Sequence, residues 1–470
     1  MSRLTTLRFW RSGVESTVGQ AAAQREQRRA AYLSLVPAAA AALIAFAWMP
    51  ALGAPYQFDD YNTPVGDAAS QSLANWWQML PSTLRPLTKL TYALESSLGA
   101  DSAPARRVLS ALLLGGCVLL LKSLIETVAK LPAALALLVA CVWAVHPAQA
   151  EMVIALAGRP ALLSLCLMLA SALLLLRSRP GLALGCALLA LLARESALTW
   201  VVACGALAAH QRGISAKRIA GASIAAFGFG ALVLATSSGV RALVESALSA
   251  GGAWNRLGLQ WAALTRGTWL LFTNPAAFTP DMEFGPSGIA RLGLILTTLA
   301  LYATAAWAAL TQPRLRLFVL LWLCIVLPTH SIVPKLDVLT ARPFAASLAP
   351  LLALVACGIG ARLGRVPRLE AGATLVLAGA FLVSFSLTRH KAELYRDPIA
   401  LWRDAAEATT HKARPLVNLG TLLARQGKLP EAESVLVRAL ERDPKSVDIR
   451  LRLSKVRRAL RLLQLPATGK

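Results

Sequence analysis

Residues 108–121 read VLSALLLGGCVLLL, and apolar stretches of this kind recur along most of the chain. A transmembrane helix needs about 20 predominantly apolar residues, and the flanks of this run extend it to 106–126. Of the 470 residues, 56% are hydrophobic and only 15% are charged, whereas about 25% of an ordinary soluble domain is charged. A soluble protein cannot bury so much apolar surface. The composition therefore predicts an all-α, polytopic membrane protein and excludes a soluble fold.

The hydropathy pattern predicts about eleven membrane spans. They lie near residues 31–50, 106–126, 131–146, 152–176, 180–193, 196–210, 218–236, 289–310, 315–329, 343–361 and 370–388. Between the fifth and sixth of these only Arg194 and Glu195 intervene, which predicts a tight hairpin or one bent re-entrant element. A buried ion pair costs less than either lone charge, so these two residues are expected to pair across the turn.

The basic residues predict how the membrane domain, residues 31–388, is oriented. The net charge of +24 comes mostly from connections between spans and from the two tails, and no nucleic-acid-binding motif accompanies it. Residues 1–30 carry six Arg and no convincing cleavage site, which predicts a cytoplasmic tail followed by a retained signal anchor. The opposite side, the periplasm if this is a bacterial inner-membrane protein, then receives the loops 51–105, 237–288 and 330–342 and the C-terminal domain.

Residues 389–470 form that C-terminal domain, in which 18 Lys and Arg stand against 9 Asp and Glu. Within it, residues 413–446 match the roughly 34-residue tetratricopeptide pattern of two packed helices. A half-repeat around Trp402 and a basic helix at 447–464 flank this unit. Because about three repeats are needed for stability, the short array is expected to pack on the membrane domain. The signature positions are Leu416, Leu419, Gly420, Leu423, Ala432, Leu436, Ala439 and Pro444.

The loop at 237–288 contains Trp254, Trp261 and Trp269, whose spacings of seven and eight place them on one face of a helix. Such a face predicts an amphipathic helix lying in the membrane interface, with its rings at headgroup depth. The alternative is a twelfth span.

The first outer loop opens with the sequence YQFDDY, in which Asp59 and Asp60 are adjacent. Two carboxylates directly outside a span are costly next to a bilayer unless they have a task. A carboxylate held near a lipid-linked sugar can act as general base for an acceptor hydroxyl. Adjacent residues in extended chain point to opposite sides, so the two are not expected to act alike, and Asp59 is favoured. Without further context, a solvated acidic loop is the favoured explanation of the pair.

Other short motifs follow in order on the predicted outer side. They are LRPLT at 84–88, HPAQAE at 146–151, GRPALL at 158–163, ARESA at 193–197, FTPD at 278–281, LPTHSIVPKLD at 327–337 and LWR at 401–403. This ordered set, joined to a C-terminal repeat, resembles the transmembrane and tetratricopeptide-repeat family of protein O-mannosyltransferases and its bacterial relatives. These are GT-C glycosyltransferases that use polyprenyl-phosphate-linked sugars. The resemblance covers about residues 51–444.

The resemblance implies roles for particular residues. One of the acid pair, Asp59 and Asp60, deprotonates the acceptor hydroxyl or holds a divalent metal ion, the only cofactor implied. The leaving lipid phosphate needs positive charge. The candidates to bind it are Arg342, Arg85, Lys89 and Arg159, with Arg194 as a further outer-side cation. His146, Glu151 and Asp281 are candidates for contact with the acceptor or for support of the catalytic residues. A cap at the start of the next helix explains His146 and Glu151 equally well.

Two departures from the family pattern bear on activity. The family tends to have Glu before the arginine that corresponds to Arg342, with a Tyr nearby, whereas this chain reads Ala341-Arg342-Pro343-Phe344. An aromatic residue expected after Asp281 is Met282 here.

The sequence thus predicts transfer of a sugar, with mannose favoured, from a polyprenyl-phosphate donor to a protein hydroxyl outside the cytoplasm, with inversion. The repeat domain would bind the acceptor protein, because helical repeats form extended binding surfaces. Two alternatives stay open: a non-catalytic repeat-bearing scaffold, and a transporter of lipid-linked sugars or small solutes. Few charges lie within the predicted spans, which argues against transport. The basic C-terminal residues are also candidates for contact with anionic membrane lipids.

Overall fold

In a computed structural model, all regular structure in the described part of the chain is helical. The described residues are 36–215, 253–331, 338–363 and 368–464, with isolated positions between 217 and 245 and Val366. The chain divides into two compact units at Ala47. In chain order the helices are α1 (Val36–Leu52), α2 (Leu73–Met79), α3 (Pro86–Ser97), α4 (Ala103–Ala129), α5 (Ala133–Ala144), α6 (Ala150–Val153), α7 (Arg159–Leu176), α8 (Pro180–Ala193), α9 (Leu198–Gln211), α10 (Ala253–Thr273), α11 (Gly288–Thr311), α12 (Pro313–Ser331), α13 (Ala341–Gly360), α14 (Leu369–Leu394), α15 (Pro398–Glu407), α16 (Arg414–Arg425), α17 (Leu429–Arg442) and α18 (Val447–Gln464).

Several of these helices could cross a membrane. Among the described residues five are long and apolar enough: α4, α7 with the turn that precedes it, α11, α13 and α14. Helix α5 and the segment Pro147–Val153 make a sixth if this pair, bent by 55°, is one broken span. The all-α fold is confirmed, but the expected count of about eleven spans is not. Other predicted spans form helices of only 14 to 19 residues, such as α8, α9 and α12, and residues 1–30 and most of 218–236 lie outside the described residues.

Polar connections between the apolar helices meet at one end of the second unit. The Gln57 amide in the first outer loop donates to the carbonyl oxygen of Tyr395, 338 residues later, at 2.5 Å. Arg85 in the same loop binds Glu195, which follows α8. The first outer loop, the α8–α9 connection and the start of the repeat domain therefore share one end.

Two buried arginines at the start of α4 fix the first outer loop on the membrane helices. Arg107 donates to the carbonyl oxygens of Ile154 at 3.0 Å and Pro55 at 2.9 Å, and Arg106 donates to that of Pro64 at 2.8 Å. Backbone carbonyls of a loop without regular structure need such donors once they are buried. Sequence reasoning treated this position only as the start of a span and missed both residues.

Helix α10 carries the three tryptophans of the predicted amphipathic helix. Trp254 is 87% exposed and Trp269 is 60% exposed, as expected for rings that face a membrane interface. Trp261 differs, because it packs edge-on against Tyr302 of α11 with ring centroids 5.6 Å apart. Helix α10 is not among the five candidate spans, and its place in the membrane interface stays a prediction.

The helices α15 to α18 form the repeat domain around a core of its own. Most signature positions of the predicted repeat are buried there, including Leu416, Ala432, Leu436 and Ala439, each with no exposed surface. Gly420 is required at the crossing of α16 and α17, because a Cβ there would lie 2.8 Å from Cγ of Leu436. The core extends to α15 through Trp402, so the half-repeat packs with the full one.

Candidate functional site

A cavity of about 950 Å³, counting space open to solvent, lies at the end where the polar connections meet. Its wall combines acidic and basic side chains from the first outer loop, the membrane helices and the repeat domain. The lining residues are Asp59, Glu151, Ala155, Arg194, Pro280, Asp281, Leu339, Thr340, Arg342, Tyr395, Trp402 and Arg414. The cavity therefore brings together Asp59, Glu151, Asp281 and Arg342 of the predicted site, with Arg194 beside them.

The acid pair is divided between solvent and core. Asp59 and Asp60 lie in a 3₁₀ turn, Phe58–Tyr61, and not in the extended chain that the sequence argument assumed. The side chain of Asp59 is 63% exposed and lines the cavity. Asp60 is fully buried and accepts the backbone N–H of Ala157 at 2.8 Å and that of Gln57 at 3.2 Å. Burial raises the pKa of the Asp60 carboxyl, although these two N–H groups oppose the shift.

Of the two acids predicted as catalytic candidates, Asp59 is the one whose carboxylate can be reached from the cavity. The carboxylate of Asp60 has no surface through which an acceptor can approach, and both oxygens are occupied by backbone donors. Asp60 is a positioning residue that fixes the turn, and Asp59 is the carboxylate that faces the cavity.

Arg342 lies between two cavity carboxylates. Its Nη2 is 3.5 Å from Oδ2 of Asp59, and its Nε is 3.9 Å from Oε2 of Glu151. The side chain comes from the first turn of α13. That turn is held against the α5–α6 bend, because the Gln149 amide donates to the carbonyl oxygen of Ala345 at 3.2 Å. A cation so placed can bind an anionic group that enters the cavity.

Glu151 owes its position to a close approach of two backbones. It lies in the one-turn helix α6, directly after the bend. The 3₁₀ turn Leu156–Gly158 packs on it so closely that a Cβ at Gly158 would overlap the carbonyl oxygen of Glu151. The same turn supplies the N–H of Ala157 that binds Asp60. The glycine of the GRPALL motif thus sets the spacing between Glu151 and the acid pair.

The other predicted outer cations divide into one that lines the cavity and two that do not. Arg194 lines it, and burial lowers the pKa of this guanidinium to about 10, so it stays charged at neutral pH. Arg85 makes a two-point ion pair with Glu195 at 2.8 and 2.6 Å. The expected Arg194–Glu195 pair is therefore replaced by one with the first outer loop. Lys89 pairs with Asp67 at 2.8 Å.

Arg159 does not fit the predicted role in donor binding. It is fully buried at the start of α7 and binds Glu95 at 2.8 Å, Thr91 at 3.0 Å and the carbonyl oxygen of Arg106 at 2.6 Å. It also lies 4.3 Å from the centroid of the Tyr92 ring. A guanidinium with these partners cannot reach a donor in the cavity, so the prediction for Arg159 is corrected to a structural role. The error arose because the motif gave its sequence position and not its depth.

His146 is buried outside the cavity wall. Its Nδ1 accepts the backbone N–H of Ala148 at 3.2 Å, so the proton is on Nε2, which donates to the carbonyl oxygen of Leu271 at 2.9 Å. His146 therefore caps the turn at the α5–α6 bend and ties it to α10. Because His146 does not line the cavity, its predicted contact with the acceptor stays a prediction.

Asp281 connects the cavity to the repeat domain. Its side chain is 3% exposed and lies 2.8 Å from Nζ of Lys412 and 3.1 Å from Nε of Arg414. Lys412 also donates to the carbonyl oxygen of Met282 at 2.8 Å. The backbone of Asp281 has φ +61°, a conformation that costs a residue with a side chain of order 1–3 kcal/mol and persists only where surroundings enforce it.

Glu283 adds a second connection two residues later. Its carboxylate accepts the backbone N–H groups of Thr410 at 2.6 Å and His411 at 3.0 Å. Sequence reasoning included Asp281 but missed Glu283 and the basic residues that face it. The only available signal was the Lys412-Ala413-Arg414 sequence before a predicted helix, which by itself is typical of a solvated surface.

The part of the chain that the structure describes contains no preformed metal centre. Among the described residues, no group of three or more His, Cys, Asp and Glu side chains is arranged to hold a metal ion. Asp59 and Glu151 share Arg342 as their counter-ion.

Comparison with known proteins identifies the repeat. Residues 413–456 match the tetratricopeptide repeat family, which confirms the predicted repeat and extends it into α18. Tetratricopeptide arrays generally bind other proteins. No curated protein matches the chain in sequence.

Proposed function

We propose that the chain is a membrane glycosyltransferase of the GT-C class, similar to the transmembrane and tetratricopeptide-repeat O-mannosyltransferases. It moves a sugar, with mannose favoured, from a polyprenyl-phosphate donor to a protein hydroxyl on the periplasmic side of a bacterial inner membrane. The observation that carries this proposal is the placement of Asp59 and Arg342 in one cavity at the end of the apolar helices. A carboxylate and a guanidinium are the two groups that such a transfer requires.

In this mechanism Asp59 acts as the general base. It takes the proton of the acceptor hydroxyl as the oxygen attacks the anomeric carbon of the sugar. The bond from that carbon to the phosphate oxygen breaks on the opposite side, and the lipid phosphate leaves with the electron pair, so the anomeric configuration inverts. The exposure of Asp59 gives the acceptor access, and Asp60 holds the turn that aims it.

Arg342 and Arg194 stabilise the charge that develops on the phosphate. Their positions in the cavity wall allow ion pairing with phosphate oxygens, which is worth more where water is partly excluded. Before the donor binds, Asp59 and Glu151 balance the charge of Arg342. Donor binding then releases Asp59 from its ion pair for base catalysis.

Replacement of Asp59 by Asn tests the proposal. The purified variant is incubated with a defined polyprenyl-phosphate mannose and candidate acceptor proteins, and mass spectrometry detects the added hexose. Because a positioned base contributes about 10²–10⁴-fold to rate, the variant is expected to lose at least about 100-fold in transfer. Asp101→Asn, an exposed acid of the same loop outside the cavity, serves as the matched control and should keep wild-type activity.

Two outcomes would contradict the assignment. Wild-type transfer by Asp59→Asn would exclude Asp59 as the base. Binding of an acceptor protein by the wild type without turnover of any polyprenyl-phosphate sugar would favour the alternative of a non-catalytic scaffold. The departure from the family pattern around Arg342 is the observation that favours this alternative.

A further inference from the structure

The repeat domain carries a large excess of positive charge. From residue 389 to 470, Lys and Arg outnumber Asp and Glu by nine. Several of the acids are already paired within the chain: Asp404 with Lys391, Glu433 with Arg457, and Asp448 with Arg452. The remaining basic side chains dominate the surface charge of the domain.

Some of these basic residues are connected by contacts that begin at the cavity. Arg414 lines the cavity wall. Next to it, Lys412 is held by Arg442 at the end of α17, whose Nη1 donates to the Lys412 carbonyl oxygen at 2.9 Å. Directly after α17, Arg450 of α18 donates to the carbonyl oxygen of Pro444 at 2.8 Å. These contacts connect Arg414, Lys412, Arg442 and Arg450, of which Arg414 and Lys412 also bind Asp281 at the cavity end, and we call this path the basic track.

Helix α18 continues the basic track on the face that points away from the core. Ile449, Leu453 and Val456 pack inward, so residues at the opposite helical positions face outward. The outward positions carry exposed basic side chains next to exposed apolar ones. These are Arg450, Lys455, Arg458 and Arg461, beside Val447, Leu451, Leu462 and Leu463. This face is therefore suited to a partner that is acidic and amphipathic.

We propose that the basic track binds an acidic, extended segment of the acceptor protein and leads it into the cavity past Arg414. This inference rests on the proposed function in one respect, that the bound protein is the one to be glycosylated. Charge complementarity selects the partner, because like charges exclude a basic segment and a second copy of α18. An extended chain can follow the basic track into the cavity that Arg414 lines, whereas a flat membrane surface cannot enter a cavity.

Peptide binding to the full-length protein tests this proposal. The protein is placed in nanodiscs of zwitterionic lipid without a sugar donor. Fluorescence anisotropy then measures the affinity of a labelled peptide in which Glu alternates with Ser and Thr, and of the same peptide with Gln in place of Glu. The track variant replaces four exposed basic residues by Gln: Arg450, Lys455, Arg458 and Arg461. The control variant replaces four exposed basic residues of other connections by Gln: Arg177, Arg179, Arg212 and Lys217.

The wild type and the control variant are expected to bind the acidic peptide, and to bind the Gln peptide at least about tenfold more weakly. The track variant should lose roughly tenfold or more in affinity for the acidic peptide, as expected from four exposed charge pairs of a few tenths of a kcal/mol or more each. Arg414→Gln should lose affinity without any change in α18. Thermal unfolding of each variant verifies that it is folded.

Equal peptide affinities of the wild type and the track variant would overturn the proposal. The proposal would also be overturned if the track variant kept its peptide affinity and only bound phosphatidylglycerol vesicles more weakly than the wild type. That result would assign the outward face of α18 to the membrane. Because no donor is present, the measurement is independent of catalysis. If the protein binds the acidic peptide but has no transferase activity, the proposed function is contradicted, while peptide binding by the basic track is not.

Discussion

At the residue scale, two neighbouring carboxylates have opposite environments because of one contact across the chain. The N–H of Ala157 draws Asp60 into the core, and the 3₁₀ turn then leaves Asp59 at the cavity. A charged group that is buried must be compensated by donors, and Asp60 receives two from the backbone. The hydrogen bonds of Asp60 thereby restrict the conformation of the turn that carries the exposed Asp59.

Replacement of Asp60 by Asn is expected to destabilise the protein. The amide nitrogen cannot accept a hydrogen bond, so either Ala157 or Gln57 loses its buried acceptor, at a cost of about 1–3 kcal/mol. Tryptophan fluorescence during thermal unfolding in detergent should show a lower Tm. Asp59→Asn is the control and should stay close to the wild type, because its side chain is largely exposed. Equal Tm values for both variants would contradict the structural role of Asp60.

The Arg85–Glu195 pair gives stability a defined pH dependence. Burial acts to raise the pKa of Glu195, but Arg85, Arg194 and a backbone hydrogen bond together outweigh it and lower the pKa to about 2 from the usual 4.5. The folded state therefore binds a proton less readily than the unfolded state, and the pair stabilises the fold above about pH 4.5 and loses this effect as the pH falls toward 2.

Glu195→Gln removes the charge that produces this effect. The variant is expected to have a lower Tm than the wild type at pH 7. The difference should shrink as the pH falls below 4.5. Differential scanning fluorimetry across this range measures it. A difference that is constant down to pH 3 would show that charge does not cause the stabilisation.

At the scale of elements, the segment before α11 is clamped to the start of α16. Asp281 binds Lys412 and Arg414, and Glu283 binds the backbone of residues 410 and 411. These contacts enforce the left-handed backbone of Asp281. These contacts also hold the repeat domain, which has a single complete repeat, to the segment before α11.

Glu283→Ala should loosen this clamp in a way that hydrogen exchange detects. The N–H groups of Thr410 and His411 lose their acceptor, so their amide exchange is expected to accelerate by at least about tenfold, while exchange within the core of α17 stays unchanged. Mass spectrometry of peptides that cover residues 408–413 measures this. Arg425→Ala, at the opposite end of α16, provides the control. Unchanged exchange in Glu283→Ala would mean that other contacts hold the connection.

The sequence predicted the helices and the repeat better than the long-range contacts of individual side chains. The repeat was readable because its small and apolar positions follow helical periodicity, and these positions are buried as expected. The acid pair, Glu151 and Arg342 were found by motif order. The depth of Arg159 and the roles of Arg106 and Lys412 were not predictable, because each depends on contacts with residues more than 40 positions away.

At the scale of the whole molecule, the cavity and the repeat domain lie at the same end of the apolar helices. The proposed reaction requires that this end face away from the cytosol, where a lipid-linked donor meets a secreted acceptor. The positive-inside rule predicts this orientation from the basic connections at the other end.

Cysteine labelling in intact cells tests the orientation. In a variant without the native cysteines, Ser454→Cys on α18 is expected to react with a membrane-impermeant maleimide from outside the inner membrane. Gln312→Cys, between α11 and α12, should react only after the membrane is permeabilised. Both positions are exposed. Labelling of Ser454→Cys only after permeabilisation would place the repeat domain in the cytosol and end the proposed mechanism.

The hydrogen bond from Gln57 to the carbonyl oxygen of Tyr395 joins the acid-bearing turn to the first residue after the last long apolar helix. A fragment that stops before this point would keep every apolar helix yet lose the acceptor that anchors the turn. Removal of residues 395–470 is therefore expected to release the turn that carries Asp59, the proposed base.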